Sequence, residues 1–164
     1  MDDSTKSKLQ ALFDADKARK AQLIEQANVQ KDQESAFLIE FLKVRDEIIA
    51  PEMQKMADFI INQGWNAEVV AEDERLGDKD RTEPASIRMM VGKDASQRLQ
   101  YRWHENAYIR VVCEKRTFKA GFHECTIMPG RGGMSGGTGT VTLAELTPAY
   151  LEQRLATFIA KLFK

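Results

Sequence analysis

The sequence predicts an α+β fold: long N-terminal helices, an antiparallel meander sheet of about five to six strands, and a C-terminal helix packed on that sheet. Three observations predict it. Residues 1–50 contain neither glycine nor proline, which favours unbroken helix. Between residues 65 and 144 the apolar period falls toward two, the period of strands with one buried face. After residue 147 a helical stripe returns behind Thr147 and Pro148, an N-cap residue followed by proline at the helical position that tolerates it. Helices, then strands, then one helix is an α+β order.

The first helix is expected over about 4–31, capped by Asp3 or Ser4. Leu9, Leu12, Phe13, Leu23, Ile24 and Ala27 form an interrupted apolar stripe around a charged middle. A second helix is expected over about 35–63. Phe37, Leu38, Phe41, Leu42, Val44, Ile48 and Ile49 follow the i, i+3/i+4, i+7 pattern, so one face must be buried. Pro51 either kinks this helix or starts another, and Met53, Met56, Phe59 and Ile60 continue the stripe up to a stop at Gly64. Residues 30–35 leave two options: a hairpin turn, or one helix running straight through. A straight helix over 5–50 would be about 69 Å long, against a radius of gyration of about 15 Å for a compact chain of this size. Its stripe would then need a partner, most simply a second copy of the chain.

Strands are expected at 67–71, 86–91, 98–104, 107–114, 118–128 and 140–144. Residues 72–83 hold nine charges in twelve positions and read as an exposed loop. The closing helix has an apolar face of Leu151, Leu155, Phe158, Ile159, Leu162 and Phe163, which the sheet is there to cover. The chain divides into a helical segment, 1–64, and a sheet with its helix, 65–164, within one structural domain.

Composition excludes several classes. The 164 residues are 43% hydrophobic with a net charge of −1, which fits neither a disordered chain nor a polybasic nucleic-acid binder. No apolar run approaches membrane length, the start lacks the apolar stretch of a secretion signal, and two cysteines make no disulfide framework. A cytoplasmic protein without membrane association is the expectation. The charge is segregated, however. Residues 1–84 carry 12 Lys and Arg against 19 Asp and Glu, whereas residues 85–131 carry 9 against 4. Acidic helices therefore accompany a basic sheet.

Pairing 98–104 with 107–114 through a three-residue loop sets Leu99 against Cys113, Tyr101 against Val111 and Trp103 against Ile109, all facing the core. The other face then holds His104 opposite Tyr108, Arg102 opposite Arg110 and Arg98 opposite Glu114. Opposed arginines destabilise a sheet unless something compensates them. One answer is an acidic side chain from the helices or from 72–83. The other is a bound anion or a partner's carboxylate, which guanidinium forks suit. Arg102, Arg110, Arg88, His104 and Tyr108 are thus the candidate site.

Other constellations fit less well. The glycine-rich stretch 129–139 lacks phosphate-loop spacing and opens a strand rather than a helix, so it reads as a mobile hairpin connection. Cys113, His123 and Cys125 come together only if adjacent strands keep the same inward parity, and their spacing matches no zinc pattern. No metal, cofactor or catalytic residue is assigned. The expected function is a non-enzymatic module that forms a homodimer through its N-terminal helices and binds a protein partner or anionic ligand on the basic face. An enzyme using His104, His123 or a cysteine ranks behind it, and so does a nucleic-acid accessory protein.

Overall fold

The computed structural model describes residues 2–99 and 106–164. Helix α1 spans Asp3–Val44 without a break at 30–35, and contacts divide the chain into two compact units, Met1–Ala36 and Phe37–Lys164. The first unit is helix alone. Asp2 caps it, its carboxylate accepting the Thr5 N–H at 2.6 Å, and Asp16–Lys20 is an i,i+4 ion pair of 2.7 Å. Every residue from 2 to 33 is exposed.

The second unit begins with the last turns of α1, a π turn at Arg45–Ile49 and helix α2, Ala50–Asn62. Phe37, Phe41, Arg45, Ile49, Met53 and Ala57 are all buried, at every fourth residue. In a pure α-helix that spacing drifts by about 40° per step. The π turn takes more residues into one turn and winds the drift back. Pro51 explains its place, because proline has no N–H to donate and crowds the carbonyl four residues earlier. The Ala50 N–H reaches back five residues to Arg45 O.

The sheet has five antiparallel strands in the order β1-β4-β5-β6-β7: β1 Asn66–Glu72, β4 Ser86–Gly92, β5 Ala107–Glu114, β6 Lys119–Cys125 and β7 Ser135–Val141. The 72–83 stretch, expected as a loop, contains a small exposed hairpin of β2, Arg75–Leu76, and β3, Thr82–Glu83, closed by an Arg75–Glu83 ion pair of 2.6 Å. The glycine-rich stretch is not only a connection. Ser135–Val141 pairs with β6 through a bulge at Phe122/His123. Gly133 lets the chain pass close to the segment that follows β6, since a Cβ there would lie 2.7 Å from the Thr126 carbonyl, and Gly139 takes φ +124°.

Helix α3, Pro148–Lys161, is capped as the sequence predicts, with Thr147 Oγ1 accepting the Tyr150 N–H at 3.2 Å. Leu151, Leu155, Phe158 and Leu162 are buried in one core with Ile87, Met89, Ile109, Val111 and Phe122 of the sheet and Met53, Ala57 and Ile60 of α2. Among the described residues no helix is long and apolar enough to cross a membrane.

Candidate functional site

The sheet has two faces, and registration decides what each presents. Ile87, Met89, Ile109, Val111, Cys113 and Phe122 face the helices. The alternate positions form the other face, on which Val70, Arg88, Arg110, His123 and Gly137 lie in one row across all five strands. The pairing predicted from sequence is overturned. Arg110 stands between Arg88 on β4 and His123 on β6. Cys113 lies opposite Ala120 rather than Leu99, Glu114 opposite Lys119 rather than Arg98, and residues 97–99 are not strand. Arg102 and His104 fall outside the described residues. The opposed arginines are real, but they are Arg88 and Arg110.

Their compensation is visible in part. Arg88 is only 6% exposed and donates from Nη1 to Glu72 Oε2 at 2.6 Å, an acidic group from the stretch where one was expected. Arg110 is half-buried and donates from Nε to Ser86 Oγ at 3.0 Å. Tyr108 is half-buried and His123 exposed. Ser86, Met90, Val112 and Cys125 on this face are also buried, so the face is far less open than alternation alone implies.

At the same end of β1, Arg45 projects from the π turn. Its Nη1 donates to Glu72 O at 3.0 Å and Asp73 Oδ1 at 2.8 Å, and its Nε to Asp46 Oδ1 at 2.7 Å. Burial works against the charge, and the two carboxylates outweigh burial, raising the guanidinium's pKa. Glu72 thus joins the two buried arginines, through its backbone to Arg45 and its carboxylate to Arg88. Sequence reading missed Arg45 because it stands on an apolar helical stripe.

A second charged cluster was also missed. Glu124 is buried on the helix-facing side of β6. Its carboxylate accepts from Lys161 Nζ at 2.5 Å and Thr138 Oγ1 at 3.3 Å, with Arg154 Nε 3.6 Å away. Arg154 and Lys161 are seven residues apart, hence on one face of α3, and that spacing was the available signal. The cluster borders a cavity of about 300 Å³ beside Ser135, Gly136 and Gly137. A larger groove of about 700 Å³ runs between α2 and α3, lined by Met56, Phe59, Ile159, Ala160 and Phe163.

The cysteines do not converge. Cys113 faces the core, while Cys125 pairs with Tyr108 on the other side of the sheet and His123 shares that side. The assumed parity fails because the turn after β5 places Ala120, Phe122 and Glu124 inward instead. Burial pushes the Cys113 thiol up to about 12, the opposite of what a nucleophile needs. No group of three metal-capable side chains occurs among the described residues.

The last feature is the N-terminal helix. Leu9, Leu12, Phe13, Leu23 and Ile24 are 39–67% exposed, and an isolated helix gains little stability without packing of its apolar face. No protein-family model, curated protein or solved structure matches the chain.

Proposed function

We propose that this protein is a non-enzymatic interaction module that self-associates through its N-terminal helix and takes an acidic or anionic partner on the Arg110 side of its sheet. The observation that carries the reading is the exposed stripe. Five large apolar side chains lie in two blocks on one face of a helix whose residues 2–33 are all exposed, and exposed apolar patches of this kind mark an interaction site. A second copy is the partner always present at matching concentration, and its stripe has the same composition.

The anionic-partner half of the reading is supported by the row Arg88, Arg110 and His123 across three strands. The contact is placed at Arg110, half-buried at the centre of that row, with exposed His123 beside it. Arg110→Glu, at a half-buried position, is expected to abolish binding of an acidic peptide while leaving the circular dichroism spectrum unchanged.

Light scattering tests the self-association. The full chain is expected to be dimeric, and Leu12→Asp with Ile24→Asp monomeric, with the same thermal transition for the sheet-bearing unit. A monomeric wild type across the micromolar range would retire the reading.

A further inference from the structure

Resting on that reading, we infer that two N-terminal helices pair antiparallel about a two-fold axis level with Ala18. The stripe's positions are spaced by eleven residues: 9, 12, 13 and 16 (Leu, Leu, Phe, Asp) are followed by 20, 23, 24 and 27 (Lys, Leu, Ile, Ala), with the apolar pair Leu12–Phe13 recurring as Leu23–Ile24. Eleven residues make three turns of 3.67, close to the α-helical period, so these eight positions stay on one face over the whole stretch. All eight are exposed.

Orientation follows from where the two charges sit. Asp16 and Lys20 interrupt the apolar stripe and bond each other within the helix at 2.7 Å. In a parallel, in-register pair, Asp16 would meet its own copy and Lys20 likewise, which places like charges in the seam. In the antiparallel pair centred on residue 18, Asp16 lies level with the second copy's Lys20, and Lys20 with the second copy's Asp16. Four charges then alternate in sign across the axis. The same operation brings Leu9 level with the second copy's Ala27, and sets Leu12 and Phe13 against its Leu23 and Ile24. No shift of register is needed. The apolar blocks and the central charges are complementary under one rotation, as a two-fold interface requires.

The test uses the full chain carrying Lys6→Cys. Both native thiols are buried, so a nitroxide attaches at residue 6 alone, and pulsed dipolar spectroscopy reads the distance between copies. The antiparallel pair places the labels about 36 Å apart along the helix axis. A separation below about 20 Å in a dimer would mean parallel helices and would overturn this inference while leaving self-association standing. A monomer by light scattering would overturn both. Charge reversal gives an independent readout: Asp16→Lys is expected to raise the dimer dissociation constant about tenfold, and adding Lys20→Asp to restore it to within about threefold. No rescue by the double exchange would also overturn the inference.

Discussion

The N-terminal stretch of α1 and the C-terminal helix α3 are built from the same local chemistry and have opposite fates. Each has a side-chain cap, Asp2 on the Thr5 N–H and Thr147 on the Tyr150 N–H. Each has apolar residues at helical spacing. Yet α3 buries Leu151, Leu155 and Phe158, and residues 2–33 bury nothing. Caps and spacing make a helix, whereas burial needs a surface of matching shape. The sheet offers one to α3.

The comparison breaks most readily with a charge placed in each stripe. Leu155→Asp is expected to cost more than about 4 kcal/mol, because it buries a carboxylate without a partner; urea denaturation should find the protein largely unfolded. Leu12→Asp should leave that curve in place and alter only self-association. Equal loss of stability from the two would mean that residues 2–33 are packed after all.

Ion pairs sharpen the contrast. Arg88→Ala leaves Glu72 facing a buried gap and is expected to cost about 2–3 kcal/mol, while Asp16→Ala loses an exposed i,i+4 pair worth about 0.3–0.5 kcal/mol, gains the better helix propensity of alanine, and should leave the sheet unit unmoved. Denaturant midpoints for the sheet unit separate the two. Capping comes next: Thr147→Ala should lose about 1 kcal/mol, and Asp2→Ala should not move the thermal transition of the sheet unit. A further effect is confined to high pH. The Cys113 thiol stays protonated in the folded state up to about 12, against an ordinary 9.0, so above pH 9 the unfolded chain releases a proton that the folded one keeps. Stability should fall there by up to about 1.4 kcal/mol per pH unit more steeply than in Cys113→Ala.

These contrasts also explain what the sequence made legible. Thr147 and Pro148 specify a helix start from adjacent residues, and the structure agrees at both. The α+β order and the antiparallel meander follow from runs of period, which survive small errors in boundaries. Pairing is another matter. The sequence pairs 107–114 with the stretch just before it, but the strand beside β5 is β4, whose seven residues are all buried. A strand buried on both sides shows only a broken alternation, Ser86 and Arg88 giving way to Met90, and so announces its register weakly. The arginine opposition that the structure shows is accordingly Arg88 with Arg110, while Arg102 lies outside the described residues. β7 was placed late because Gly136, Gly137 and Gly139 have little strand propensity, and Arg45 was hidden because the π turn that turns it toward Glu72 leaves no mark in hydrophobic spacing.

The two outer strands of the sheet carry a further consequence. β1 presents Glu68 to solvent, and β7 is glycine-rich, exposed and interrupted by a bulge. Neither is a flat, apolar ribbon on which a neighbouring chain extends the ladder. Crowding many copies together should accordingly produce discrete assemblies rather than cross-β fibrils, because the backbone edges discourage templated growth.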